Sequence, residues 1–522
     1  MSRGFRQTMV PAHTWAGLTV GWMLYFIFLT GTAGYFDTEI DRWMRPEIPF
    51  AETFPSRAEM LMRAEKRLGD VAPDAHETWI FFPDKRSPFL EVSWENADHV
   101  WHEEMLDPET GAPIRVRDTG GGQFLYQLHY RLHYLPPVLA FWLVSACAMF
   151  MLVAICTGVI VHKKIFADLF TFRPRKGQRS WLDAHNVLGV TALPFHLMIT
   201  YSGLVFLMFT TMPVLINAFY GSGPEGQTRF FIDALSRPTD SPPAGVAAQT
   251  RPLTEFLSEA ERRWGEGSVR YISVENAGDV NAVVEVNRSA SGGLGTAETL
   301  LFHGATGERR GVVDQPAGAN VLRVALLNLH EGLFADTVLR WLYFLSGLAG
   351  TAMIATGLHL WTVKRRQKNT SSGTPPAIGL SLVERLNIGT IVGLPVGIAA
   401  YFWANRLLPL EMDGRAAWEI HTMFLTWVAT FAVAAWRRRD GAWLELSGLA
   451  AAAYGLLPVV NAVATDRGLI VSIARGDWVF AAFDLAAVAV GLFFLLLVRA
   501  VRRKRLQAAT GRISEAAMEA PG

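Results

Sequence analysis

Cysteine is nearly absent. The 522 residues contain two, Cys147 and Cys156, and both lie in one apolar run. That excludes a disulfide framework, a zinc ribbon and cysteine-ligated iron–sulfur clusters. Charge is sparse as well, at 18% of residues, where a soluble chain carries about a quarter. The net charge of +1 gives no electrostatic case for a nucleic-acid partner. No GxGxxG follows a strand pattern, so no dinucleotide or flavin module is expected within the chain.

Apolarity is abundant. Hydrophobic residues make up 51% of the chain, and the mean hydropathy is +0.22. Apolar runs of about 18 residues or more recur, the length of a membrane span. Eight spans are expected, near 14–34, 137–161, 186–212, 338–362, 387–408, 416–436, 443–463 and 478–498. The first is too long for a signal peptide and lacks a small-residue cleavage site, so it is expected to stay as an anchor.

Basic residues cluster at alternate span ends: Arg3 and Arg6; Lys163, Lys164, Arg173, Arg175, Lys176 and Arg179; Lys364, Arg365, Arg366 and Lys368; Arg437 to Arg439; Arg499 and Arg502 to Arg505. With eight spans all fall on one side. The expectation is a multi-pass protein with both termini cytoplasmic. Segments 37–135 and 213–336 then lie outside, in a bacterium the periplasm.

These two segments repeat each other. AEKRLG at 64–69 matches AERRWG at 260–265, and the TG of DPETG at 107–111 matches the TG at 306–307, both at an offset of 196. Each reads as an amphipathic helix, then strands, then a turn. The spans repeat too: His13, Gly17 and Gly31 align with His185, Gly189 and Gly203. Spans two and four each follow an LH segment and reach a TG. The unit is span, outside segment, span, used twice, which predicts a pseudo-two-fold four-helix bundle. The last four spans show no such repeat.

Eight of the thirteen histidines lie on or beside the first four spans. His13, His162, His185 and His359 fall at the cytoplasmic edge. His129, His133 and His330 fall at the outer edge, and His196 lies inside span three. In a straight helix His196 stands about 16 Å from His185 on the same face. Single edge histidines are often interfacial, and Tyr126, Tyr130 and Tyr134 interleave with His129 and His133 as an aromatic belt does. An intramembrane histidine marks function more strongly. Zinc or copper would need several imidazoles around one ion. Haem needs only two axial imidazoles from facing helices, in an apolar slot lined by aromatics and small residues. Gly17, Gly21, Gly158, Gly189, Gly203, Gly347, Gly350 and Gly357 supply small residues along these spans.

The HxxxG…TG spans, the LH before spans two and four, CTGVIVHKKIFADLFTFRP, SWLDAHNVLGVTALPFHLMITYSG and the D-P-x-T-G turn carry a resemblance. Over about residues 1–368 the chain resembles the PepSY-associated transmembrane helix proteins. These are bacterial inner-membrane proteins that include ferric-siderophore reductases. The resemblance implies an α-helical integral membrane protein. Its duplicated span–PepSY-like α+β domain–span unit would form a four-helix haem-binding bundle, followed by four extra C-terminal spans. The implied layout is an N-terminus with span one (1–36), a periplasmic domain (37–135), spans two and three (136–212), a second domain (213–336), span four (337–368), a linker (369–385), four further spans (386–505) and a cytoplasmic tail (506–522).

The resemblance also implies two haem b groups. His13 and His185 would serve the cytoplasmic layer and His133 and His330 the outer layer, with His129, His162, His196 and His359 as second candidates. Electrons from a cytoplasmic donor or the quinol pool would reduce a periplasmic ferric siderophore, docked directly or by a carrier. Trp79, Phe81, Phe82, Trp94 and Trp101 could line that docking site, although strand aromatics more often form core. A non-redox membrane regulator and a metal-ion transporter are the competing expectations. Asp466, Arg467, Arg475 and Asp477 read as ordinary loop charges.

Overall fold

A computed structural model describes residues 4–51, 53–96, 98–162, 172–174, 176–235, 242–288, 298–313, 319–373, 375 and 377–518. Of the basic residues used for orientation, Arg3, Lys163, Lys164 and Arg175 lie outside the described residues. The elements begin with α1 (Phe5–Ala33), α2 (Asp37–Met44), α3 (Arg57–Val71), β1 (Glu77–Phe81), β2 (Leu90–Glu95), β3 (Trp101–Leu106), α4 (Gly121–Arg131) and α5 (Pro137–Val161). Then come α6 (Gln178–Thr191), α7 (Leu193–Phe206), α8 (Met208–Thr211), α9 (Pro213–Tyr220), α10 (Gly223–Leu235), α11 (Leu253–Trp264), β4 (Val269–Glu275), β5 (Val283–Arg288), β6 (Thr299–His303), β7 (Arg309–Val313) and α12 (Ala319–Glu331). The chain continues with α13 (Thr337–Ser371), α14 (Ile378–Ile391), α15 (Gly393–Leu407), α16 (Arg415–Trp436), α17 (Arg439–Ala464), α18 (Leu469–Arg475) and α19 (Trp478–Met518).

The chain divides into two compact units. One holds residues 1–46, 117–200 and 341–522, and the other 47–116 and 201–340. In the second unit, strands from both outside segments join one antiparallel sheet in the order β3-β2-β1-β4-β5-β6-β7. The two domains expected at 37–135 and 213–336 therefore share a sheet. The join is β1 against β4, with Trp79 opposite Ser273 and Ile80 opposite Ile272. Each half runs helix, then strands outward from the join, three after α3 and four after α11. Ile80, Leu90 and Val92 alternate inward from one half, and Ile272, Val274, Val284 and Val286 from the other. They close on Met60, Leu61 and Ala64 of α3 and Phe256, Leu257 and Ala260 of α11. Ser56 starts α3 through a reciprocal capping box with Glu59. The TG turns place Gly111 and Gly307 at φ 72° and 75°, where a side chain would be strained.

The first unit is helical. Among the described residues six helices, or seven if the bent pair α6–α7 is one span, are long and apolar enough to cross a membrane. The expected count was eight. The missing one is α16 at 416–436, a helix whose Glu, His and Thr residues dilute its apolarity. The expected linker 369–385 is partly helical, because α13 runs to Ser371 and α14 begins at Ile378. Exposed Val138, Leu139, Trp142, Met149, Phe150 and Val153 cover α5 with an apolar surface suited to lipid. Inside, Trp22 Nε1 donates to Asn387 Oδ1 at 2.9 Å and Tyr25 OH to the Ile391 carbonyl at 2.9 Å, tying α1 to α14.

Span three is broken. α6 and α7 meet at 67° across Ala192. Pro194 has no N–H to continue the ladder and its ring crowds the preceding turn. The straight-helix expectation for His185 and His196 is thereby overturned: the two sit on different helices.

Candidate functional site

His13 on α1 and His185 on α6 come together in the first unit. Their ring centres are 6.2 Å apart with 67° between planes. Each ring is held from a neighbouring helix in the same way. His13 Nδ1 bonds the Ala154 carbonyl of α5 at 2.9 Å. His185 Nδ1 bonds the Met353 carbonyl of α13 at 2.9 Å. Four residues beyond each carbonyl stands a glycine. A Cβ on Gly158 would lie 3.1 Å from His13 Cε1, and one on Gly357 would lie 3.0 Å from His185 Cε1. Carbonyl and glycine thus bracket each ring, and both belong to the TG segments that repeat in sequence.

A carbonyl acceptor requires Nδ1 to carry the proton. Nε2 is then left with its lone pair, and among the described residues it has no hydrogen-bond partner in either ring. That is the tautomer of a metal-ligating imidazole with its second nitrogen held. Two imidazoles on opposite sides of one metal, each at about 2.0–2.1 Å, have ring centres roughly 6 Å apart. The observed spacing fits that arrangement. Among the described residues no three His, Cys, Asp or Glu side chains gather as a metal-ion group. What the two rings offer is a pair of imidazoles from facing helices.

The other histidines fall in four kinds of surroundings. His129 packs on Gly31, with Cγ 3.4 Å from a Cβ placed there, and its Nδ1 bonds the Tyr126 carbonyl. In the second unit, His330 packs on Gly203, with Cε1 3.2 Å from such a Cβ, and Ser202 Oγ meets its Nδ1 at 2.9 Å. Gly31 and Gly203 are aligned in the repeat, so the counterpart of His330 by surroundings is His129. His133, the expected outer ligand, is elsewhere. α4 ends at Arg131, and Leu132 and His133 follow at φ 51° and 23°. His129 therefore sits in the last turn of α4, and His133 lies beyond the end of the helix. The His133 ring instead stacks on Phe424 at 5.9 Å and 13° and meets Phe124 edge-on at 5.3 Å.

His196 is fully buried among Phe28, Phe195 and Gly350, at 6.3 and 6.1 Å from the two rings. Neither of its nitrogens has a partner in hydrogen-bond geometry, although the Gly189 and Ser346 carbonyls are its polar neighbours. His162 caps the end of α5. His359 packs 4.3 Å from Trp181 and 6.1 Å from Trp443, among C-terminal helices.

The aromatics expected at a docking site divide between two faces of the sheet. Phe82 is core. Trp79 and Phe81 stack at 5.8 Å and share Tyr271, at 4.9 and 5.3 Å. Trp94 stacks on His102 at 5.4 Å, and Trp101 is exposed on an edge strand. On the Trp79 face, Glu77 lies directly opposite Glu95 on one side and Glu275 on the other.

Two of the expected loop charges are in fact buried. Arg467 and Asp477 pair at 3.3 Å, and Asp477 also pairs with Arg42 at 3.4 Å. Sequence spacing could not find this, because the partners come from opposite ends of the chain.

Residues 10–364, about two thirds of the chain, match the family model described as the PepSY-associated TM region. The chain is also 26% identical over 305 residues to "Uncharacterized protein PA4219" of Pseudomonas aeruginosa. That similarity covers 55% of this chain and 73% of the relative.

Proposed function

We propose that this chain, which belongs to the PepSY-associated TM family, is a haem b oxidoreductase that carries electrons across its membrane to a ferric siderophore. It is a multi-pass membrane protein. The observation that carries the redox reading is the His13–His185 pair, spaced at 6.2 Å with both Nδ1 atoms anchored to carbonyls. Haem, when bound, supplies one-electron transfer. Ala154 and Met353 hold the two imidazoles by their Nδ1–H groups, which fixes tautomer and ring angle. Gly158 and Gly357 keep the rings close to the neighbouring helices. The candidate ligands for a second haem are His133, His330 and His129, each taken by itself.

The reaction outside would be Fe(III) chelate plus one electron to Fe(II) chelate. Hard oxygen ligands hold Fe(II) less tightly, so reduction favours release. The electrons would come from a quinol or a cytoplasmic reductant.

The test is the spectrum of detergent-purified protein, air-oxidised and dithionite-reduced, with a pyridine haemochrome count. About two b-type haems per chain are expected from the two histidine layers. His13→Ala and His185→Ala should each remove one haem and leave the other. A wild-type chain that takes up no haem, with haem supplied during expression, would return the protein to the non-redox regulators.

A further inference from the structure

The helices beyond the family region grip the start of α4. Glu419 on α16 is fully buried. Its Oε2 accepts from Thr119 Oγ1 at 2.5 Å and from the Gly120 N–H at 3.3 Å. Its Oε1 accepts from Asn405 Nδ2 of α15 at 2.9 Å and pairs with Arg415. Arg415, also fully buried, donates to the Asp118 carbonyl at 2.8 Å and to the Asn405 carbonyl. Tyr401 OH donates to the Gly121 carbonyl at 2.9 Å, and the Ala416 N–H to Asp118 Oδ2 at 3.1 Å. Residues 118–121 are therefore bonded along their backbone by α15 and α16. Beyond the other end of α4 the same region holds Tyr134, whose OH meets His421 Nδ1 at 2.6 Å.

α4 is packed from both sides. Phe124 faces Tyr401 at 5.3 Å and Phe424 at 6.5 Å. The opposite stripe, Gly122, Tyr126 and His129, lies on Asp37 at the start of α2, on Gly34 and on Gly31 near the end of α1. The contacts step forward along α4 as they step back through residues 37, 34 and 31, so α4 runs antiparallel to this end of α1. A slip of one residue, about 1.5 Å along the axis, takes the His129 ring off Gly31.

We propose that Glu419 and Arg415 are positioning residues for His129: the C-terminal helices clamp α4 and set how its histidine is presented. The proposal rests on the haem reading for what His129 does there, but the clamp is measurable without haem. A buried ion pair is weak evidence of stabilisation, since well-packed apolar groups of like volume serve as well. Its best-attested use is to fix register, and a satisfied buried network admits one geometry. Here its partners include two backbone groups just before α4, the Asp118 carbonyl and the Gly120 N–H, the latter a donor of the kind a helix start leaves unpaired.

The experiment uses the full chain in detergent, with Glu419→Ala and the conservative Glu419→Gln. Amide exchange across residues 121–131 should quicken about tenfold or more in Glu419→Ala, the effect of losing a buried charged hydrogen bond. In the same sample one haem should shift in midpoint potential while the His13–His185 haem keeps its own. Glu419→Gln, which retains an acceptor for Thr119, should recover most of both. Unchanged exchange across α4, or equal shifts in both haems, would overturn the proposal. Should Glu419→Ala not fold, Tyr401→Phe removes only the bond to Gly121, and it must loosen α4 in the same direction or the clamp is refuted. If the wild type binds no haem, the haem reading fails alone and the exchange data still decide the clamp.

Discussion

The bracket around each ring can be tested by filling its glycine. In Gly357→Ala the new Cβ would lie 3.0 Å from His185 Cε1 and 3.2 Å from Nδ1. Carbon pairs prefer about 3.5–4.0 Å, so the ring must retreat by roughly half an ångström or more. That retreat stretches the 2.9 Å bond to Met353 beyond useful length. Overpacking costs about 1–3 kcal/mol and the lost bond about 1 kcal/mol. Together these lower haem affinity at that layer by roughly thirty- to a thousandfold. Glycine-to-alanine inside a helix otherwise gains about 1 kcal/mol, so the sign itself is diagnostic. Gly158→Ala, at 3.1 Å from His13 Cε1, should behave alike. Gly31→Ala, at 3.4 Å from His129, is ordinary contact and should be mild, and Gly17→Ala, with nothing within 4 Å, should be silent. The assay is haem stoichiometry with a potentiometric titration. Equal loading of Gly357→Ala and Gly17→Ala would refute the bracket.

Two predictions concern the remaining parts of each unit. Burial, with the like charges of Glu95 and Glu285, raises the carboxyl pKa of Glu77 despite its bond to Trp79. A raised acid stabilises the folded state below the unfolded pKa and loses that contribution as pH rises through the folded one. Glu77→Gln should therefore stabilise the sheet at neutral pH by up to about 1 kcal/mol and flatten its pH profile; thermal melts at pH 4 and pH 8 read this, and a variant less stable at pH 8 contradicts it. In the helical unit, Trp43 Nε1 donates to the buried Asp484 carboxylate at 3.0 Å while Phe483 stacks on its ring at 4.1 Å. Trp43→Phe keeps the ring and removes the donor, at a cost of about 1–3 kcal/mol, seen as a lower Tm; an unchanged Tm means Asp484 finds another donor.

The apolar runs and strand alternation exposed most of the elements, because both follow from local periodicity. What escaped was long-range or geometric. β1 and β4 pair across nearly two hundred residues, so two similar segments read as two domains rather than halves of one sheet. Arg42 and Asp477 are 435 residues apart, and no local pattern announces that pairing. A 3.6-residue count over span three assumes a straight helix, whereas the break next to Pro194 separates His185 from His196. Leu132 takes a left-handed conformation without being glycine, so the end of α4 between His129 and His133 is not announced by local sequence. The histidine–glycine alignment between spans one and three was legible, and it places His13 and His185 in the same kind of bracket.

That repetition bears on the bland alternative. A histidine at a membrane edge needs only a polar neighbour or water, and two such residues have no reason to share a detailed environment. His13 and His185 share three features: an Nδ1 bond to a carbonyl, a glycine four residues beyond that carbonyl, and an Nε2 without a partner among the described residues. Each feature acts on a ligand's requirements, namely tautomer, approach and a free lone pair. His196 makes the contrast. It is more deeply buried than either, yet among the described residues neither of its nitrogens has a partner in hydrogen-bond geometry. Burial alone therefore does not single out an imidazole; a held second nitrogen beside a glycine does, and it is this shared environment of His13 and His185 that supports the proposed pair.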